Sequence, residues 1–197
     1  MSETPVSQRY EREPAKRVFA AELRETTHHF KEGTEDKSPT FVLLPTGERC
    51  NRVFLIGLLT EKKKSDGDTV FYQIKVKDPS GFFYVSAGSY QPEAMHQIAS
   101  IESPSSPESK TYIAVIGKPN VFKAPDGRVL VSVRAESVAE VDKGMHDCWI
   151  LDTAECTLDR IDAADETPDR VKAKEIYPQL PEVWRRMVQE ALNTIQI

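Results

Sequence analysis

The sequence predicts a mainly β protein with α additions: a five-stranded Greek-key barrel followed by C-terminal amphipathic helices. One observation is the order of patterns, in which three closely spaced strand patterns precede a short helical segment and two more strands. Another is the turn chemistry between strands, which includes Asp-Gly and Asp-Pro-Ser-Gly. The apolar period also changes from two to three or four beyond the barrel. This order is typical of an OB-fold, with strands expected at 51–64, 69–78, 81–87, 111–121 and 129–137.

Residues 1–38 are predicted to form an N-terminal arm that is partly disordered. Its first ten residues are polar and have no period. The segment 15–23 offers Val18, Phe19 and Leu23 as the apolar face of a short helix. The charged stretch that follows is expected to be a mobile connector.

Residues 39–141 are predicted to form the OB-fold domain, in which Gly57 allows the first strand to bend around the barrel. A helix over 91–101 is expected to plug the open end. Because side chains alternate along a strand, the second and third strands should point one set inward. That inward set is Tyr72, Ile74, Val76, Phe83, Val85 and Ala87.

Residues 142–197 are predicted to form a helical assembly region, with helices over 143–164, 169–177 and 182–196. The first of these carries an apolar stripe, and one interpretation is that this stripe packs with helices of a partner subunit. Coverage of the barrel within the same chain is an equally good interpretation. The candidate partner-binding residues are Trp149, Ile150, Leu151, Ala154, Leu158 and Ile161.

The charge distribution is compatible with nucleic-acid binding although the net charge of the 197 residues is −5. Residues 51–141 hold 11 basic and 10 acidic side chains, whereas residues 142–197 hold 7 basic and 12 acidic ones. The acidic excess therefore lies behind the barrel, and a basic groove needs only local positive charge.

Composition favours a cytoplasmic protein. No apolar run approaches the roughly 20 residues that span a membrane, and the first residues lack the apolar core of a signal peptide. Three cysteines without metal-like spacing indicate a reducing compartment.

No catalytic constellation is present in the sequence. It contains no Gly-rich phosphate loop and no HExxH, CxxC or GxSxG motif. His28 and His29 are adjacent, so they cannot chelate one ion from one helix face. We therefore expect no enzyme activity, no cofactor, no metal and no small-molecule substrate.

Binding chemistry is better supported, because single-stranded nucleic acid needs aromatic faces for unstacked bases and cations along the phosphate path. The predicted outer face of the second and third strands mixes both kinds of side chain. Burial of Phe71 or Phe82 under the arm or a partner is the alternative. The candidate nucleic-acid-binding residues are Lys62, Lys63, Lys64, Phe71, Lys75, Lys77, Phe82, Tyr84, Lys118, Phe122, Lys123, Arg128 and Arg134.

The amino-acid sequence of several segments resembles that of the archaeal replication protein A–associated proteins. These segments are KRVFAAEL, PTGERCNRVFLIGLLTE, KDPSGFFYVSAGSYQPEA, YIAVIGKPNVF and VSVRAESVAEVD, and the resemblance extends over residues 15–164. The resemblance implies a small OB-fold subunit of a single-stranded DNA-binding complex in replication, repair and recombination. It also implies that the main replication protein A subunit is the partner, met through the helix after the barrel.

Three hypotheses follow. The first is a single-stranded DNA-binding subunit of a replication protein A-type complex. The second is an assembly subunit that binds the main protein through its C-terminal helix and makes little DNA contact itself. The third is an OB-fold that binds structured RNA.

Overall fold

The computed structural model describes residues 12–33, 38–65, 67, 69–106 and 110–195. The predicted disorder of the first ten residues lies outside these ranges. In chain order the elements are β1 (Lys16–Arg17), α1 (Ala20–Arg24), β2 (His28–Lys31), β3 (Thr40–Leu43), β4 (Arg49–Cys50), β5 (Val53–Lys64), β6 (Phe71–Asp78), β7 (Gly81–Gly88), α2 (Pro92–Ser100), β8 (Tyr112–Lys123), β9 (Val129–Val141), α3 (Lys143–Asp162), α4 (Pro168–Ile176) and α5 (Pro181–Leu192).

Strands β5 to β9 form a closed barrel in the order β5-β6-β7-β9-β8-β5. Closure is possible because β5 is long enough to pair along one half with β8 and along the other with β6. The β7–β9 pair is parallel and the other pairs within the barrel are antiparallel. This is the OB-fold topology, so the predicted fold class is confirmed.

Alternation along β6 and β7 separates an inner and an outer side, as predicted. Ile74, Val76, Phe83, Val85 and Ala87 are buried in the barrel core, and Tyr72 packs against that core as a half-buried side chain. Their neighbours in sequence therefore face outward.

Two glycines lie where neighbouring strands approach most closely. A Cβ atom on Gly57 would lie 2.4 Å from the carbonyl oxygen of Lys77, and one on Gly117 would lie 2.4 Å from that of Arg134. Side chains at these positions would push β5 away from β6 and β8 away from β9. The close approach of the Lys77 carbonyl oxygen explains why β5 has a glycine at position 57.

The described part of the N-terminal arm contains more regular structure than the sequence suggests. Its helix spans only Ala20–Arg24, because Lys16–Arg17 pairs in parallel with the start of β5. Val18, Phe19 and Leu23 are buried as expected.

The expected connector over 24–38 is wrong in part, since it contains β2. This strand pairs antiparallel with β3 along four residues, and β3 pairs with β4 to give a second, three-stranded sheet. The β2–β3 pairing crosses the boundary predicted at residue 38, and the division into three parts stays a prediction.

Helix α2 closes one end of the barrel, as predicted. Ala94 and Ile98 are buried in the core. The side-chain oxygen of Gln97 accepts a hydrogen bond of 2.7 Å from the backbone N–H of Val138, which ties the helix to β9.

Helix α3 lies on its own barrel, which corrects the prediction that its stripe meets a partner. Trp149 is 2% exposed, packs edge-on against Phe19 at 5.7 Å and donates an indole hydrogen bond to the carbonyl of Phe54. Ile150 and Ala154 are buried in the same core. These three side chains are therefore covered by their own chain, as the alternative interpretation held.

The rest of the predicted stripe is divided. Leu158 packs against the core and Ile161 is half-buried, whereas Leu151 is exposed. The C-terminal helices cover much of what remains, because α5 packs along α3 through Val188 and Ala191. Helix α5 therefore docks on its own chain, a point that the sequence left open.

Helix α4 packs on the other sheet. The hydroxyl of Tyr177, at the end of α4, donates a hydrogen bond of 2.7 Å to the carbonyl of Leu43 and accepts hydrogen bonds from the backbone N–H groups of Thr27 and His28. Among the described residues no helix is long and apolar enough to cross a membrane.

A buried ion pair joins α1 to α3. Glu22, wholly buried, accepts a hydrogen bond of 2.8 Å from the guanidinium of Arg160, and its other oxygen accepts one from the backbone N–H of Phe19. The hydroxyl of Thr46 donates to Glu22 and accepts from Arg160. The arm, the β3–β4 turn and the C-terminal helices thus meet at one polar cluster inside the protein.

Candidate nucleic-acid interface

Three aromatic side chains stand on the outer side of β6 and β7. Phe71, Phe82 and Tyr84 are 38%, 40% and 56% exposed. The alternative that Phe71 or Phe82 is buried under the arm is therefore wrong. Large exposed aromatic groups on one sheet face are typical of a binding surface, and in OB-folds this face is a common site for oligonucleotides.

A lysine lies between two of these rings. Lys75 is directly opposite Tyr84 in the β6–β7 register, and its Nζ lies 4.2 Å from the ring centroid of Phe82 and 5.6 Å from that of Tyr84. These are cation–π distances. Lys77, exposed, pairs with Phe82 in the same register. The face thus alternates rings and cations over a few ångströms.

The register continues this face across the sheet. Ser86 of β7 pairs with Arg134 of β9, which pairs with Lys118 of β8. The guanidinium of Arg134 donates a hydrogen bond of 2.9 Å to the side-chain oxygen of Asn120, which holds it over β8. The structure therefore brings the predicted Arg134 and Lys118 together, in the row of Ser86 and next to the row that contains Lys75 and Tyr84.

The β8–β9 hairpin extends further than predicted. Phe122 was expected in the loop between the fourth and fifth strands, but it lies within β8, exposed and opposite the exposed Leu130. Lys123 pairs with Val129 at the end of the ladder. Arg128 lies in the turn and donates to the carboxylate of Asp126, at 2.7 Å.

The three consecutive lysines do not share one face, which corrects the prediction that all three belong to the nucleic-acid-binding surface. They lie within β5, where Lys63 pairs with the outward Gln73, and Lys62 and Lys64 pair with Ile74 and Tyr72 of the inner set. Because successive side chains of a strand point to opposite sides, only Lys63 of the three points to the outer face.

Lys62 is engaged elsewhere. Its ammonium donates hydrogen bonds to the carbonyl oxygens of Ala99 and Ile101 at the C-terminal end of α2. Burial lowers the pKa of Lys62. Lys62 therefore fastens α2 to the barrel and is not free to meet a phosphate.

Glu61 is an acidic side chain within this surface that sequence reasoning missed. It pairs with Lys75 in the β5–β6 register and accepts a hydrogen bond from Lys63. That hydrogen bond and the charge of Lys63 lower the pKa of Glu61, with a smaller contribution from Lys75. Glu61 lies two residues before Lys63 in the same strand, so strand alternation places both side chains on the outer face.

The same surface contains an open cavity of about 220 Å³. It is a shallow depression between the tip of β5 and the outer sides of β6, β7 and β9, with Glu61, Lys63, Lys75, Tyr84, Ser86 and Ser132 in its lining. Gln73, Ser86 and Ser132 add hydrogen-bonding groups beside the cations. Flat rings, fixed cations and amide groups together can hold an unstacked base and its phosphate.

The described residues contain no group of three or more His, Cys, Asp or Glu side chains that could hold a metal ion. Burial raises the pKa of the Cys50 thiol to about 12, so that sulfur is protonated at neutral pH.

No protein-family model matches the sequence, and no curated protein is significantly similar to it. Among solved structures, the chain is similar to one in a replication protein A heterotrimer bound to ssDNA, with 13% identity, coverage of 75% of this chain and 98% of that chain, and a TM-score of 0.49. A chain of the yeast Stn1 and Ten1 structure is 12% identical, with 66% and 64% coverage and a TM-score of 0.41.

SSBb, the second single-stranded DNA-binding protein of Mycobacterium smegmatis, is 16% identical, with 46% coverage of this chain, 86% coverage of that chain and a TM-score of 0.37. At these values the similarities carry no argument about function. The OB-fold is established by the strand order and closure of the barrel itself.

Proposed function

We propose that this protein binds single-stranded DNA through the outer face of β6 and β7, as the small subunit of a replication protein A-type complex. The observation that carries the proposal is the position of Lys75 against the rings of Phe82 and Tyr84. An exposed aromatic pair with a cation on it matches the chemistry of base stacking beside a phosphate.

In this mechanism a base displaces the ammonium of Lys75 from a ring. Each stacked base contributes about 1–3 kcal/mol. The displaced ammonium then meets the phosphate of the same nucleotide, and Lys77, Lys118 and Arg134 meet the next ones. Binding is non-catalytic and requires no cofactor.

The assignment to archaeal replication protein A–associated proteins is supported by the sequence segments that resemble them, above all KDPSGFFYVSAGSYQPEA, which contains Phe82 and Tyr84. Action in replication, repair and recombination, in the cytoplasm and at the nucleoid, is proposed with that assignment. So is a hetero-oligomer with the main replication protein A subunit. Because Trp149, Ile150 and Ala154 are buried, the partner would meet other surfaces, among which is the exposed Leu151.

Fluorescence anisotropy with a labelled oligothymidylate tests the proposal. Phe82→Ala with Tyr84→Ala should weaken binding by about 2–6 kcal/mol if both rings stack. Val183→Ala, which truncates an exposed side chain on α5, is the control and should bind as wild type. Absence of binding by the folded wild-type protein at low salt would refute DNA binding by this chain and favour the assembly hypothesis.

A further inference from the structure

A groove of about 690 Å³ lies next to the interface, between the β2–β3 hairpin and the distal part of β8. His29, Lys31, Ser38 and Thr40 lie on the hairpin side, and Lys118, Asn120 and Arg134 on the barrel side, with Asn51 also in the lining. The hairpin falls in a segment that the sequence indicated as a connector, so the groove could not be anticipated from the barrel alone.

The charged side chains in the described lining of the groove are all basic. They are Lys31, Lys118 and Arg134, and His29 lies beside them. The neighbouring cavity beside Tyr90, in contrast, includes Glu93 and Glu136. In a protein of net charge −5, such a groove is a local site of positive potential that attracts a polyanion.

The polar groups of the groove suit a nucleic-acid backbone better than a base. Thr40, which is exposed, and Asn51, which is half-buried, add a hydroxyl and an amide to its lining. The aromatic ring of Phe30, which also lines the groove, is already occupied, since it stacks on Phe41 at 5.7 Å and carries Arg49 at 5.2 Å. Hydrogen-bonding groups and cations are thus available, while a free π-face is not.

The groove is continuous with the interface. Arg134 and Lys118 lie in the cross-strand row that starts at Gln73 of β6 and Ser86 of β7, next to the Lys75–Tyr84 pair, and both also line the groove. The pairing of β8 with β5 stops at Gly117, so β5 does not cover this stretch of β8. A DNA strand that crosses β7, β9 and β8 in turn therefore reaches the groove without changing direction.

We propose that this groove is a second, backbone-binding segment of the DNA site, in which Lys31 and His29 hold phosphates of the strand that leaves the aromatic face. The proposal rests on the proposed function, because the same DNA strand occupies both segments. The β2–β3 hairpin would then increase the number of nucleotides that the protein covers.

Two labelled oligothymidylates separate the two segments: one of about 5 nucleotides, enough for the aromatic face, and one of about 12, within the range of OB-fold site sizes. His29→Ala with Lys31→Ala should weaken binding of the long oligonucleotide about fivefold per lost phosphate contact at 0.1 M salt and leave the short one unchanged. The salt dependence for the long one should also become shallower, by about 0.7 in the logarithmic slope per contact.

Lys172→Ala on α4 removes one exposed positive charge away from the groove and is the matched control. Equal binding of both oligonucleotides by the His29/Lys31 variant and the wild type would overturn the groove while leaving the aromatic site intact. Equal weakening of the short and the long oligonucleotide would also overturn it, since the side chains would then act on the face itself. If Phe82→Ala with Tyr84→Ala changes neither, the proposed function fails and the groove with it.

Discussion

Replacement of Arg160 by methionine should destabilise the fold far more than the loss of an ordinary surface arginine. Methionine retains part of the apolar stem but leaves the wholly buried Glu22 without its countercharge. Removal of one member of a buried ion pair costs about 3–5 kcal/mol, because the remaining charge stays desolvated. The hydrogen bonds from Arg160 to Thr46 and to the carbonyl of Arg17 are lost as well. We therefore expect Arg160→Met to lower the free energy of unfolding by about 4 kcal/mol, near the middle of that range.

Urea denaturation at pH 7, followed by the fluorescence of the two tryptophans, measures this free energy of unfolding. A cycle of Arg160→Met, Glu22→Gln and the double variant isolates the pair, and a coupling of about 1–3 kcal/mol is expected because the two side chains are in direct contact. Arg185→Met is the matched control. Arg185 pairs with Asp162 on the surface, and exposed pairs contribute about 0–1 kcal/mol.

A cost of less than about 1 kcal/mol for Arg160→Met, or a value equal to that of Arg185→Met, would refute the reasoning. It would mean that the carboxyl of Glu22 takes up a proton or reaches water when Arg160 is absent. Because a domain of this size is stable by about 5–15 kcal/mol, the variant should still fold and bind DNA.

Three further predictions follow from single contacts. Gly57→Ala should destabilise the protein by about 1–3 kcal/mol or more, measured by urea denaturation, since its Cβ would lie 2.4 Å from the carbonyl oxygen of Lys77. Burial raises the pKa of Asp78 to about 6 against an ordinary value of 3.8, so the folded state binds that proton more tightly than the unfolded one. Stability from Asp78 should thus be fully present below about pH 4 and fall by about 3 kcal/mol as the pH rises through 6, a dependence absent from Asp78→Asn. Glu61→Gln should increase the affinity for single-stranded DNA at low salt about two- to fivefold, measured by anisotropy, because it removes a negative charge from the face and releases Lys63.

Each of these has its own control. Gly67→Ala places a methyl group where nothing lies within 4 Å, and it should leave stability unchanged. For Asp78 the difference between wild type and variant at pH 4 and pH 7 removes the contribution of other groups; equal slopes would contradict the assignment. Glu175→Gln removes an exposed glutamate that is paired with Lys172 on α4. An equal gain from both glutamate substitutions would show that overall charge, rather than the position of Glu61, sets the affinity.

Much of the barrel could be predicted because its information is local. Alternation along β6 and β7 assigned the outward set that contains Phe82, Tyr84 and Lys75, and the structure places all three on one face. The lysine run at 62–64 was misassigned, because all three side chains were assigned to the binding surface although successive side chains of a strand point to opposite sides.

The remaining features depend on pairs of residues that are distant in the sequence. An amphipathic helix such as α3 has the same apolar stripe whether it covers its own barrel or a partner, so the burial of Trp149 required the structure. The polar segment of β2 is extended because β3 and Tyr177 supply its hydrogen bonds. Glu22 and Arg160 are separated by 138 positions, and nothing in either local sequence indicates the other.

That separation also has a consequence for the order in which the protein folds. During synthesis the barrel strands emerge before α3, and long-range contacts form late because loop closure costs entropy. Until Arg160 arrives, burial of the Glu22 carboxylate is unfavourable, so the α1 region should remain open on a barrel that has otherwise closed. Chains interrupted before residue 160 should therefore be cut by proteases within the N-terminal arm, and completion of α3 should make that arm resistant.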